Sequence, residues 1–143
     1  MALRALIFED NDILRSTLKC ILEEFGYEVF TFLDSGLCPV YDSVNHKCPF
    51  DHACADIIIS DVDMPTKTGL ELIKDRKQKG CKINHRALMS GGWTDSNLKY
   101  AQELDCRLFH KPFNLNEMLQ WLDDCNERIE PERKLSNLPT KKI

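Results

Sequence analysis

The apolar residues of this 143-residue chain change their spacing repeatedly, from short continuous runs to a helical period. β-Strands are predicted for five runs rich in branched and aromatic residues, LRALIF, YEVFTF, ADIIIS, RALMS and RLFH. Between and after them, apolar residues recur every three or four positions, as Leu14, Leu18 and Ile21 do, which predicts helices. This alternation predicts an α/β fold with a doubly wound parallel sheet and helices on both faces. The predicted helices lie near residues 11–26, 69–79, 96–104 and 114–128.

One stretch interrupts the alternation of strands and helices. From Ser35 to Ala55 the sequence reads SGLCPVYDSVNHKCPFDHACA, with two prolines, three cysteines and two histidines. We predict at most a short helix in this Cys/His-rich insert, at about 36–55. Its spacing, C-x9-C-x3-H-x-C, matches no standard zinc finger. Unliganded thiols, an internal disulfide and an iron–sulfur cluster or other redox role therefore stay open beside a tetrahedral zinc (Zn²⁺) site. The candidate zinc ligands are Cys38, Cys48, His52 and Cys54, with His46 as an alternative.

Composition and charge argue against several classes of protein. Acidic residues outnumber basic ones by 23 to 19, so the chain lacks the positive charge typical of proteins that bind nucleic acid through its phosphates. No apolar run reaches the roughly 20 residues of a membrane span, and MALRALIFED becomes acidic too early for a secretory signal. Seven cysteines without a CxxC pair do not suggest a complete disulfide framework. We therefore expect a cytoplasmic protein that binds neither nucleic acid nor membrane.

The length fits one domain, which we expect to occupy residues 1–128 including the insert. From Ile129 onward the sequence reads IEPERKLSNLPTKKI and has no apolar period that could bury a further helix. We expect residues 129–143 to form a charged, mobile tail. We expect no separate effector domain within these 143 residues, so any signal would leave through a partner protein.

Polar residues follow four of the predicted strands where those strands end. Glu9 and Asp10 follow the first strand, Asp61 follows the third, Ser90 ends the fourth and Lys111 follows the fifth. The carboxyl ends of strands in a doubly wound sheet share one crevice, so these side chains should converge. Carboxylates held this close repel, since two charges 4 Å apart cost about 4 kcal/mol at an effective dielectric near 20. Mg²⁺, which takes carboxylate and water oxygens and bridges to phosphate, would compensate them together with Lys111.

This combination of groups favours phosphoryl transfer to a carboxylate. Aspartate is a competent nucleophile for an acyl phosphate, and nearby cations stabilise the charge of the transferred group. The surrounding motifs are FEDN, IIISDVDMPTKTG, ALMSGG and HKPF. In order and separation they resemble the receiver domains of bacterial two-component response regulators, of the single-domain, chemotaxis-regulator type. The resemblance covers about Leu3 to Arg128.

The resemblance implies a fold and a set of roles. The sheet would be five-stranded and flavodoxin-like, in the order 2-1-3-4-5. A sensor histidine kinase or a phosphotransfer protein would phosphorylate Asp61, and this would switch the affinity of a monomer or weak dimer for a downstream protein target. The chain would promote only its own phosphorylation and dephosphorylation and would not be an enzyme. Mg²⁺ would be held by Asp10, Asp61, the backbone carbonyl of Asp63 and, through water, Glu9, with Ser90 and Lys111 on the phosphoryl oxygens.

The sequence departs from the family pattern three positions before Lys111. Receivers usually carry there an aromatic residue that turns inward, whereas this chain has Leu108. Phe109 should face the other side of the sheet, since strand side chains alternate. The bond from Lys111 to Pro112 is one that receivers often hold in cis. The output surface implied by the resemblance includes Lys99, Tyr100, Arg107, Phe109 and parts of the last helix.

Three alternative functions stay open at this stage. The chain could be a phosphorelay shuttle that passes the group from Asp61 to a histidine of another protein. It could be a metal-binding interaction module that is never phosphorylated. The pair Asp61 and Asp63 also resembles the DxD motif of haloacid-dehalogenase-type phosphatases, although that motif usually lies on the first strand and here lies on the third.

Overall fold

A computed structural model describes residues 3–33, 52–64 and 67–136. Within these ranges strands alternate with helices along the chain. The strands are β1 (Leu3–Phe8), β2 (Tyr27–Phe32), β3 (Ile57–Asp61), β4 (His85–Ser90) and β5 (Arg107–His110). The helices are α1 (Asp12–Glu24), α2 (Gly69–Gln78), α3 (Asp95–Glu103) and α4 (Leu115–Arg128). None of these helices is long and apolar enough to cross a bilayer.

The five strands form one parallel sheet in the order β2-β1-β3-β4-β5, which confirms the predicted fold class and strand order. From β1 the chain goes outward to β2 and then returns to the other side of β1 to form β3, so the direction in which strands are added changes between β1 and β3. In doubly wound sheets, ligands bind at such a switch point. Ile7 pairs with Ile59, and Ser90 pairs with His110. Because the strands run in one direction, their carboxyl ends meet at one edge of the sheet.

Alternating side chains divide the core into two apolar layers. Ile7 and Ile59 point to one face, where they pack with buried residues of α1 and α4. Phe8 and Leu88 point to the other face, where they pack with residues of α2 and α3. Burial of each such side chain contributes roughly 1.5 to 3 kcal/mol, so the register that buries both sets is strongly favoured.

Side-chain caps set the beginnings of the helices. Asn11, Thr68, Thr94 and Asn114 each accept a hydrogen bond from the backbone amide three residues later. Such a cap stabilises a helix by about 1 kcal/mol. The prediction for the first helix began at Asn11, but the regular helix begins one residue later because Asn11 is the cap. Gly26, with φ +92°, ends the turn after α1 as expected for a glycine stop.

The segment after α4 packs against the amino end of the sheet. The Arg133 guanidinium donates two hydrogen bonds to the Asp56 carboxylate at 2.7 and 2.6 Å. Arg4 Nη1 donates to the carbonyl oxygen of Ser136 at 2.7 Å. The first part of the predicted tail therefore makes defined contacts, because Asp56 is buried just before β3 and is compensated by a cation. Mobility of the tail stays a prediction, and residues 137–143 lie outside the described residues.

Most of the Cys/His-rich insert also lies outside the described residues, including the candidate zinc ligands Cys38 and Cys48. Of the other two candidates, His52 is exposed and Cys54 is buried. Cys54 packs in the apolar layer that contains Phe8. The zinc site and its alternatives therefore stay predictions.

Candidate functional site

Three carboxylates come together at the carboxyl end of the sheet. Glu9 follows β1 and is fully buried, Asp61 ends β3 and is nearly so, and Asp10 is exposed. One carboxylate oxygen of each residue lies within 4.8 Å of the other two. Among the residues that the structure describes, this is the cluster of acidic, histidine or cysteine side chains able to hold a metal ion. The topology of a doubly wound sheet is what brings these sequence-distant groups together.

Lys111 lies between two of these carboxylates. Its Nζ is 2.9 Å from Glu9 Oε1 and 3.0 Å from Asp61 Oδ1. The Lys111 backbone amide donates to the Ser90 carbonyl oxygen at 2.8 Å, and the Lys111–Pro112 peptide bond is cis. Burial opposes the charge on Lys111, but its hydrogen bonds to Glu9 and Asp61 outweigh this and raise its pKa. The lysine is therefore a fixed cation at the centre of the site.

Burial destabilises the ionised form of Glu9 more than Lys111 stabilises it. Burial of the side chain, with repulsion from Asp61, raises the pKa of Glu9 to about 7, although the hydrogen bond from Lys111 acts in the opposite direction. Glu9 Oε2 is buried and has no hydrogen-bond partner. A buried oxygen without a partner, beside two other carboxylates, suits a hard divalent cation with oxygen ligands. The donor set fits Mg²⁺ better than a softer metal.

Comparison with known proteins identifies the family of the domain that contains this acidic cluster. Residues 5–123 match the family model of the response regulator receiver domain. The chain belongs to this family. It is 32% identical over 117 residues to a probable transcriptional regulatory protein of Picosynechococcus, with 81% of this chain and 46% of the relative covered. It is 29% identical over 118 residues to the virulence transcriptional regulatory protein PhoP of Salmonella typhimurium, with 82% of this chain and 49% of PhoP covered.

A solved structure shares the fold of this receiver domain. The Vibrio cholerae chemotaxis protein CheY4 superposes with a TM-score of 0.69 at 25% sequence identity, over 87% of this chain and 99% of CheY4. The chain spans about half the length of the two curated relatives described above. The comparison therefore covers the receiver portion that the chain shares with these proteins.

The receiver site contains a side-chain contact that the sequence did not predict. Ser90 Oγ donates to Asp63 Oδ2 at 3.4 Å, and the Gly92 amide donates to Ser90 Oγ at 3.1 Å. The Asp63 amide in turn donates to Asp61 Oδ1 at 3.3 Å. Ser90 and Asp63 are 27 residues apart, and the pairing of β3 with β4 places their two segments side by side. Asp63 thus links the Ser90 hydroxyl to the Asp61 carboxylate, through its side chain on one side and its backbone amide on the other.

Gly69 is the first residue of α2 and lies close to the backbone of Asp61. A Cβ atom at this position would lie 2.3 Å from the Asp61 carbonyl oxygen and 3.0 Å from its carbonyl carbon. The Gly69 amide also donates to the Val62 carbonyl oxygen at 3.0 Å. The beginning of α2 therefore approaches the backbone of the candidate acceptor more closely than any side chain allows.

Leu108 and Phe109 lie on opposite faces of the sheet, as predicted. Phe109 is fully buried and packs edge to face against Trp121, with ring centroids 5.9 Å apart. Its assignment to an exposed output surface is therefore wrong, because the α4 side chains cover its ring. On the other face, Trp93 Nε1 donates to the Phe109 carbonyl oxygen at 3.0 Å and ties the loop after Ser90 to β5.

Proposed function

We propose that this receiver domain accepts a phosphoryl group on Asp61 from a sensor histidine kinase or a phosphotransfer protein, in a magnesium-dependent reaction. The observation that supports this most directly is the position of Lys111, within 3.0 Å of Asp61 and 2.9 Å of Glu9. A lysine held against a buried aspartate, with Asp10 and Glu9 beside it, supplies a nucleophile and a fixed cation in one crevice.

The chemistry follows from these positions. An oxygen of Asp61 forms a bond to phosphorus while the bond from phosphorus to the donor breaks, and the donor leaves with the electron pair. Lys111 transfers its hydrogen bond from Asp61 to an oxygen of the incoming group, and the Ser90 hydroxyl donates to another. Glu9, Asp10, Asp61 and the Asp63 carbonyl would hold Mg²⁺, which when bound adds positive charge next to the phosphoryl oxygens.

Phosphorylation adds up to about two negative charges to the crevice. The added charge alters partner binding only if two conformations of the domain differ in their affinity for it. We propose that the face formed by α3, β5 and α4 presents this change to a downstream protein target in the cytoplasm. Lys99 and Arg107 are exposed there and are available for contact. The acceptor would be modified stoichiometrically, without turnover of a separate substrate.

The test is the mass of the intact protein after incubation with a small acyl phosphate, with Mg²⁺ or with EDTA. We expect one phosphoryl adduct that requires Mg²⁺ and is absent from Asp61→Asn. Asp123→Asn, which changes an exposed aspartate of α4, is the matched control and should retain the adduct. A phosphoryl adduct on Asp61→Asn would refute the proposal. The absence of an adduct from both the native protein and Asp123→Asn would also refute it. Repeated release of phosphate from an aryl phosphate ester would instead favour a DxD phosphatase.

A further inference from the structure

Two adjoining cavities lie at the amino end of the sheet, opposite the Asp61 crevice. Their volumes are about 680 and 360 Å³, and both are lined by Asn84, His85 and Arg128. We call the two together the amino-end groove, bounded by the starts of β3, β4 and β5, the end of α4 and the segment up to Leu135. Volumes of this size are typical of sites for small molecules, which range from about 300 to 1,000 Å³.

Cationic side chains outnumber acidic ones among the described residues that line the amino-end groove. Asp56, one of the acidic side chains of the groove, is already paired with Arg133. In the described part of the chain, Arg128 and Lys134 are exposed and form no ion pair. The groove thus holds an excess of positive charge on a chain whose formal net charge is −4. Its cations are Lys82, Arg86, Arg107, Arg128, Arg133 and Lys134, against Asp56, Asp105, Asp124 and Glu130.

His85 lies where the two cavities of the groove meet. It stands at the beginning of β4, is partly buried and lines both cavities. Burial lowers the pKa of His85, and the charges of Arg128 and Arg86 lower it further, while Asp56 acts in the opposite direction. Cations from α4 and from β4 therefore act on the same point of the groove.

The amino-end groove also has apolar walls. Cys81, Ile129 and Leu135 line the larger cavity, and the Trp121 indole lines the smaller one. A ligand that matches both features carries an anionic group and a less polar portion. Arginine and lysine favour phosphate among anions, since a guanidinium donates two parallel hydrogen bonds to its oxygens.

We propose that the amino-end groove binds a small phosphorylated molecule, with its phosphate oxygens on Arg128 and Lys134 and its less polar part against Ile129. The ligand class includes nucleotides and compounds with a free diphosphate. This site is separate from the proposed phosphorylation of Asp61, because the two lie beyond opposite ends of the same strands. Either can therefore fail without the other.

The experiment is an NMR titration of the ¹⁵N-labelled full chain in EDTA, which keeps divalent metal away from the carboxylate cluster. The probes are ATP, inorganic pyrophosphate and adenosine. We expect ATP to shift the amide signals of His85 and Ile129 and to leave those of Asp61 and Ser90 in place. Pyrophosphate shifts of equal size would assign the ligand to diphosphates in general, and weaker ones would assign it to nucleotides.

Charge-removing variants decide whether the cations are responsible. Arg128→Gln and Lys134→Gln should each weaken ATP binding about tenfold, as expected for the loss of one charge-assisted hydrogen bond. Lys99→Gln, which removes an exposed cation from α3 with the same change in net charge, is the matched control and should bind as the native protein does. Asp61→Asn should also bind normally.

Three results would overturn the proposal. One is the absence of shifts at His85 and Ile129 up to millimolar ATP. Another is an equal loss of binding in Lys99→Gln and Arg128→Gln, which would indicate a non-specific charge effect. The third is a response to adenosine as strong as that to ATP, which would show that phosphate does not contribute.

Discussion

The two ends of the sheet carry opposite charge, and they differ in how completely their buried charges are compensated. At the carboxyl end, buried carboxylates surround one lysine, and Glu9 Oε2 is left without a hydrogen-bond partner. At the amino end, one buried carboxylate, Asp56, is paired with Arg133, and further cations stand exposed around it. The first arrangement is incomplete within the described chain and suits an added cation. The second is complete at its buried ion pair and has positive charge left at its surface.

The strongest way to test this contrast is through Glu9. Folded Glu9 holds its proton to about pH 7, whereas an unfolded carboxyl with the usual pKa of 4.5 has lost it, so the folded state binds more protons between these values. Stability without magnesium should therefore fall as pH rises through this window. Since one pKa unit corresponds to about 1.4 kcal/mol, the loss should be on the order of 3 kcal/mol.

The measurement for Glu9 is urea unfolding of the native protein and of Glu9→Gln from pH 4.5 to 7.5. The stability of the native protein relative to Glu9→Gln should decrease with pH. Glu24→Gln, which changes an exposed residue of α1, should follow the native curve. A relative stability that increases with pH would mean that Lys111 outweighs burial and that the carboxyl end is not short of positive charge.

At the amino end, Asp56→Asn should lower the free energy of unfolding by about 2 to 3 kcal/mol, because it leaves the partly buried Arg133 without its charged partner. Phosphorylation of Asp61 should persist. Glu130→Gln, which removes an exposed acid of the same groove, should change stability by less than about 0.5 kcal/mol. Denaturant unfolding checks both variants, and equal effects would remove the distinction between buried and exposed acids at this end.

Gly69→Ala tests whether the close approach of α2 to the Asp61 backbone is required for stability and for phosphorylation. Its Cβ would lie 2.3 Å from the Asp61 carbonyl oxygen, so the backbone must move, at a cost of about 2 kcal/mol. Phosphorylation should slow because Asp61 shifts relative to Lys111. Gly92→Ala, where an added Cβ meets nothing within 4 Å, is the matched control and should unfold like the native protein. Unchanged stability and phosphorylation in Gly69→Ala would show that this approach is not required.

The smallest expected effect concerns His85. Removal of the Arg128 charge in Arg128→Gln should raise the pKa of His85 toward its ordinary value, because Arg128 opposes protonation. Lys99→Gln should leave that pKa unchanged. NMR titration of the His85 ring protons measures both variants. If the pKa of His85 stays in place, burial alone accounts for its value and the groove is less positive than the structure indicates.

Much of the fold could be predicted because buried parallel strands have continuous apolar sequences. LRALIF, YEVFTF and RLFH match β1, β2 and β5 residue for residue. The prediction for β3 began at Ala55, but the strand begins at Ile57, because the Asp56 carboxylate bonds with the Arg4 amide and with Arg133 instead of facing an apolar layer. No local pattern contains that information, since Asp56 and Arg133 are 77 residues apart.

The convergence of the charged side chains at the carboxyl end of the sheet could also be predicted from the sequence. Glu9, Asp61 and Lys111 follow strands whose ends must meet, so topology alone brings them together. The contact between Ser90 and Asp63 depends on strand register and on the path of the loop after β3, which sequence does not specify. The same limit applies to the amino-end groove, whose cations come from sequence-distant segments and disappear in an overall charge count.

The hydrogen bond from Trp93 to the Phe109 backbone has a practical consequence. The chain has two tryptophans, and they approach β5 from opposite faces of the sheet: Trp93 from the loop after Ser90, and Trp121 from α4 against the Phe109 ring. If the Trp93 indole replaced its hydrogen bond to the Phe109 carbonyl oxygen with one to water, its fluorescence emission would change. The Trp121 indole is held by its packing against the Phe109 ring. The domain therefore carries one intrinsic fluorescent probe in the loop after Ser90 and a reference on α4, so that stopped-flow records could follow the loop without any attached dye.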